Sequence, residues 1–252
     1  MTLMERMRWA TVAVLGCAVM LYAGDKKEKA KLPNAVDSGS FGVFVRGQRV
    51  VTETFSVQQE NGVSIVKAKL KETSNPGSAG QKSELEMSDS GELLRYEWSD
   101  SSSSLEVTPD NEFLREKIIT ATSSKPAEKP FLMPSKTVIL DNNFFVHREV
   151  LVWRYLAADC QSESGNLKCK QGPAEFGVLV PQDQTSMPVR MELVGREKVT
   201  IRGTERELLR LNLKGEAFSW ALWVDDKNQF KLMRVLITDD NTEVVRDEEK
   251  AQ

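Results

Sequence analysis

The chain has 252 residues, a mass of 28.3 kDa and a net charge of −3 from 34 basic and 37 acidic side chains. That length suits one substantial domain or at most two. The balanced charge lacks the concentrated positive field that nucleic-acid binding needs. Hydrophobic residues at 40% and charged residues at 28% belong to a folded domain, which excludes a disordered or multi-spanning membrane chain. One histidine and three cysteines exclude a His-rich metal centre and an all-cysteine tetrahedral zinc site within one chain.

Residues 1–24 read as an export signal. Arg6 and Arg8 supply the positive start, and Ala10 to Ala23 is a continuous apolar run. The run is shorter than the ~20 residues a spanning helix needs. Cleavage is expected near Ala23 or Gly24, with Leu21 or Tyr22 only half meeting the small-residue rule. The alternatives are an uncleaved anchor, or lipidation at Cys17 of Val14-Leu15-Gly16-Cys17, which faintly resembles a bacterial lipobox. Export places the protein in the periplasm or cell envelope and leaves two cysteines, Cys160 and Cys169, which in an oxidising compartment form a disulfide. The segment between them is polar and contains Gly165-Asn166, so it can turn back on itself. A redox or metal pair would prefer Cys-x-x-Cys spacing.

Residues 25–38 are charged and look like a solvated tether, and 248–252 like a disordered tail. Between them, residues 39–247 read as a single β-rich domain. Phe41 to Arg46 and Val50 to Ser56 flank Gly47-Gln48, and Val63 to Lys71 follows Asn61-Gly62, a strong hairpin signal. In that third run Ser64, Val66, Ala68 and Leu70 share one face, and Lys67, Lys69 and Lys71 the other. Ser83 to Met87, Leu93 to Trp98, Leu105 to Val107 and Lys117 to Thr120 continue the series. Residues 121–136 hold three prolines and read as an irregular crossover. Asp141 to Ala158 is the one helix candidate, with Asp141-Asn142-Asn143 able to cap it.

Beyond the helix, Val189 to Leu193, Lys198 to Arg202, Leu209 to Leu213, Phe218 to Val224, Phe230 to Thr238 and Thr242 to Arg246 read as strands. About ten short strands and one helix, with no βαβ rhythm, predict a mainly β fold: a curved antiparallel sheet or half-open barrel. The run from Phe218 to Ile237 is apolar on nearly every position. A strand apolar on both faces is covered on both or lines a cavity. A core covered by the helix and a concave face holding an apolar ligand therefore both stay open.

No phosphate loop, dinucleotide fingerprint, zinc-protease motif, EF-hand or nucleophile elbow is present, so no catalytic residue, metal site or cofactor is assigned. Ser64-Ile65-Val66-Lys67 matches S-x-x-K, but it falls in an alternating strand without a Lys-Thr-Gly partner. His147 is the only imidazole available to a triad, with Asp141 or Asp159 to orient it. Asp225-Asp226 and Asp239-Asp240 lie in predicted turns, where aspartate suits the geometry, a weak calcium site being the alternative.

Trp223-Val224-Asp225, a short turn and then Phe230-Lys231-Leu232-Met233-Arg234 resemble the W-x-D-turn-L-x-(K/R) hairpin of exported bacterial proteins. Two groups share it: the periplasmic lipoprotein carriers and a family of similar exported domains of unknown function. Val138-Ile139-Leu140-Asp141-Asn142-Asn143-Phe144 resembles the second group. The resemblance covers about residues 39–247 and implies a half-open antiparallel barrel around a helix with an apolar concave face. The Cys160–Cys169 insertion and the proline-bearing crossover depart from the carrier pattern. On this basis the leading expectation is a non-enzymatic envelope protein binding a lipid, an acyl chain or a lipoprotein, with membrane association only through its setting. Trp98, Trp153, Trp220, Trp223, Phe230 and Met233 are the expected lining. A structural or protein-interaction module with a filled core is the second expectation, and a hydrolase using His147 the third.

Overall fold

The computed structural model describes residues 34–74, 80–123, 125–163 and 166–248; the expected signal, most of the expected tether and the last four residues lie outside them. The described chain opens with a meander. β1 (Asn34–Val45), β2 (Gln48–Glu60), β3 (Val63–Glu72), β4 (Lys82–Ser88), β5 (Leu93–Ser99), β6 (Ser103–Asp110), β7 (Phe113–Thr120) and β8 (Ala127–Phe131) each pair antiparallel with the next. Asn61 and Gly62 take φ of 50° and 79°, the left-handed pair of a two-residue hairpin turn that Asn-Gly favours.

The second half contains β9 (Val138–Ile139), α1 (Val146–Asp159), β10 (Cys160–Glu163), β11 (Asn166–Cys169), β12 (Ala174–Val180), β13 (Thr185–Ile201), β14 (Thr204–Lys214), β15 (Ser219–Asp225), β16 (Lys231–Ile237) and β17 (Thr242–Arg246). β12 to β17 form a second meander, and β17 returns to pair with β1, placing Arg246 opposite Phe41. The result is one sheet of 15 strands with β8 and β9 at its two ends, plus the separate β10–β11 hairpin. Among the described strands only β9 and β12 pair parallel.

Fifteen strands replace the expected ten or so, because several are locally disguised. β8 carries Pro130 inside the proline-bearing crossover, which an edge strand tolerates because one side of it needs no N–H donor. β9 is two residues long, and β12 contains Gly177. The expected strands Val189 to Leu193 and Lys198 to Arg202 are one 17-residue strand, β13, with Gly195 between them as a bulge at φ 141°. β1 begins at Asn34, inside the segment expected to be a tether, and Asp37 is buried because its partners come from the far end of the chain.

α1 starts five residues later than expected. Asp141 does not cap it; its Oδ1 accepts the N–H groups of Asn143 (2.7 Å) and Phe144 (3.3 Å) in the turn before the helix. The orphan N–H groups of Phe145 and Val146 donate instead to Glu53 of β2, at 2.6 and 3.1 Å.

Seven consecutive helix residues, Val146 to Val152, are buried. A helix lying on a flat sheet buries one stripe, whereas seven in succession cover nearly two full turns. The sheet therefore curls around the N-terminal half of α1. The sheet is not closed: β8 and β9 do not pair, and Lys129 Nζ of β8 instead donates to Gln184 O just beyond β12, at 2.8 Å.

The outer side of β15 and β16 is covered too. The β13–β14 hairpin extends past β15, and its tip brings Val199, Ile201 and Leu208 onto Trp223, Met233 and Val245. Two apolar faces thus meet two separate covers.

Candidate functional site

Two buried polar clusters surround α1. At its N-terminal end the Tyr96 hydroxyl donates to Asp141 Oδ2. Gln182 Nε2 donates to the same oxygen at 2.6 Å and to Tyr96 Oη at 3.0 Å. Arg148 is buried with its guanidinium 4.9 Å from the rings of both Phe145 and Trp220, and its Nη1 donates to the carbonyls of Asp141 and Phe144. Burial lowers Arg148 to about 10, with Asp141, Glu53 and Tyr96 opposing the loss. Burial pushes Glu53 up to about 8, although the two helix N–H groups and Arg148 pull it down.

His147 lies in the same cluster, fully buried. Its Nδ1 accepts the Asp141 N–H at 3.4 Å, and burial holds its pKa down to about 4. The imidazole is neutral, has no exposed surface and packs edge-on to Tyr96.

The second cluster lies around the helix from the first, at Glu149, the residue after Arg148. Arg246 Nη2 bonds both oxygens of Asp37 at 2.7 Å, and its Nη1 reaches Glu149 at 3.3 Å. Lys231 adds a contact to Asp37 at 2.9 Å. Burial raises Asp37, but the hydrogen bonds of Arg246, Glu149 and Lys231 outweigh it and hold the carboxyl below its usual range. Burial pushes Glu149 well above its usual range. The Asp37 carboxylate thus faces two cations, Arg246 and Lys231. Arg246 also lies over the rings of Phe41 and Phe55. This cluster joins β1, α1, β16 and β17 at the seam between the two meanders.

The six predicted lining residues fall in three places. Trp98 and Trp220 are half-buried near the start of α1: Trp98 Nε1 and Asn143 Nδ2 both donate to Gln81 Oε1, and Trp220 covers Arg148. Trp153 and Phe230 meet further along the helix, where Trp153 Nε1 donates to Phe230 O at 3.1 Å. Trp223 and Met233 lie on the other side of the sheet under the hairpin tip. Strand alternation sends Trp223 away from Trp220, and a register shift at Trp223/Val224 places Met233 outward as well. These six residues do not line one cavity.

The functional-looking groups missed from sequence are Glu53, Glu116, Glu149 and Arg246. A signal existed for two of them. Glu53 falls on the same strand face as Val51, Phe55 and Val57, and Glu116 on that of Leu114 and Ile118. A carboxylate on an apolar face needs a partner or a proton.

Cys160 and Cys169 form a disulfide joining β10 to β11, directly after α1. Shallow grooves mark the outer surface. One of about 430 Å³ crosses β3 to β7 over the in-register row Lys67, Glu84, Glu97, Glu106 and Lys117. Another, of about 570 Å³, lies where the hairpin tip meets β1 and β2. There Asp247 receives Arg49 at 2.5 Å, Ser40 at 2.8 Å and also Arg202. Among the described residues no acid, histidine and cysteine grouping could hold a metal ion, and no helix is long and apolar enough to cross a membrane. No family model, curated protein or solved structure matches this chain.

Proposed function

We propose that this chain is a non-enzymatic protein of the cell envelope that acts as a rigid interaction module. The observation that carries the reading is the unbroken burial of Val146 to Val152. The helix occupies the concave side of the sheet, where an acyl chain would otherwise lie. The enclosure of His147, the one imidazole of the chain, supports a non-catalytic role. The envelope location rests on the residue pattern of 1–24 and on the Cys160–Cys169 pairing in a chain read as exported. An open antiparallel sheet curled around a single helix also supports the resemblance to half-open barrel domains, including the lipoprotein carriers.

A second reading has a specific observation behind it. Trp98, Phe218 and Trp220 are only half-buried near the start of α1, and an amphiphile could enter there with its chain against these rings. Titration with a brominated fatty acid, read by tryptophan fluorescence, separates the two. The interaction module leaves emission unchanged. Saturable quenching that weakens in Trp220→Phe would replace it with acyl binding.

A further inference from the structure

We propose that Glu116 and Lys129 form a proton-operated clasp across the open seam of the sheet. With Glu116 neutral, Lys129 ties β8 to the chain beyond β12; with Glu116 ionised, Lys129 turns to the carboxylate and the tie is released.

The geometry starts from register. Tyr96, Val107, Glu116 and Lys129 stand opposite one another across β5, β6, β7 and β8. Tyr96, Val107 and Glu116 are buried on the side of the sheet that faces the core. A turn of 3-10 helix, Pro181–Asp183, reaches this row from the opposite end of the sheet. Gln182 bonds Tyr96 at one point, and Gln184 O receives Lys129 at another. Between these contacts, Glu116 is 0% exposed and neither of its carboxyl oxygens has a hydrogen-bond partner. A bare carboxylate in that position is strongly disfavoured, whereas a carboxylic acid is tolerable.

Lys129 is the charged group that faces Glu116. Arg115 on β7 turns outward to Asp110 and Glu128. Lys117 lies on the outer row opposite Glu106. On the 3-10 turn, Asp183 receives Asn142 at 2.6 Å. Tyr96 and Asp141 are bonded to each other. Directly opposed side chains on neighbouring strands start about 5 Å apart at Cβ, so a lysine reaches its cross-strand glutamate by rotamer change alone. Lys129 now points to Gln184 O with its ammonium 5.0 Å from the centre of the Phe131 ring. Burial raises Glu116 to about 7, partly opposed by Lys129, so the exchange falls near neutrality. The consequence lies at the one place where the curled sheet has no strand pairing to hold its ends together.

The clasp depends on the fold and not on the partner, so it stands or falls apart from the proposed function. Hydrogen–deuterium exchange of the full chain at pH 6 and pH 8, corrected for intrinsic rates, tests it. In the wild type, protection of the segment 181–186 should fall about tenfold from pH 6 to pH 8. Glu116→Gln, which keeps the shape of the neutral acid, should retain protection at both pH values. Lys129→Met should lose it at both. The proposal is overturned if Glu116→Gln shows the wild-type pH response, if the wild type shows none, or if Lys129→Met stays as protected as the wild type.

Discussion

The outer faces of the two meanders meet water in opposite ways. On β3 to β7 the outer row Lys67, Glu84, Glu97, Glu106 and Lys117 is charged and alternates with the inner row Ala68, Ser83, Trp98, Leu105 and Ile118, apolar but for Ser83. On β15 to β17 the outer face carries Trp223, Met233 and Val245, sealed by the tip of the β13–β14 hairpin. The comparison teaches how to read an apolar strand. Clean alternation announces one solvated face, whereas loss of alternation announces a second cover whose source the strand itself does not name.

The largest effect expected from breaking this contrast is at Trp223. Trp223→Ala should cost about 3–5 kcal/mol in urea unfolding, because it removes the centre of the outer cluster. A loss below about 1 kcal/mol would mean the hairpin tip does not seal that face.

Interior and outer carboxyls should also separate by pH. Glu53 and Glu116, raised to about 8 and about 7, hold protons in the folded state that the unfolded chain releases near 4.5. Wherever the folded state holds more protons, stability falls as pH rises. His147, lowered from 6.5 to about 4, works in the opposite sense, but only below about pH 6.5. Between pH 6.5 and 8 the carboxyls act alone, and stability should decline by on the order of 2–3 kcal/mol. Glu53→Gln with Glu116→Gln should flatten that slope in chemical denaturation. An unchanged slope would remove these carboxyls as its cause.

Gly195 sharpens the comparison more gently. At φ 141° an alanine is strained although the space around it is open, so Gly195→Ala should cost roughly 1–3 kcal/mol. It should also raise protease cleavage in the tip around Arg202-Gly203; wild-type resistance there would show that the bulge does not control the tip. The smallest effect belongs to the charged face. Lys67→Ala breaks an exposed contact of 3.1 Å to Glu84 and should change stability by less than about 0.5 kcal/mol.

Local features were legible in the residues alone. Alternation in β3 set which residues face inward, Asn61-Gly62 set a turn, and the polar segment between Cys160 and Cys169 matched a disulfide-closed hairpin. These follow from strand pleat, left-handed turn preference and loop closure, which act over a few residues. Contacts between distant parts of the chain emerge only in the assembled fold. Glu53 caps a helix more than ninety residues later, with |i−j| of 92 and 93, and Arg246 meets Asp37 across a separation of 209. The candidate aromatics were legible as apolar, but their division between the helix side and the hairpin-tip side was not. That division depends on where a distant hairpin bends and on how far a 15-stranded sheet curls around α1. Burial is a property of the assembled faces, and no single strand carries it alone.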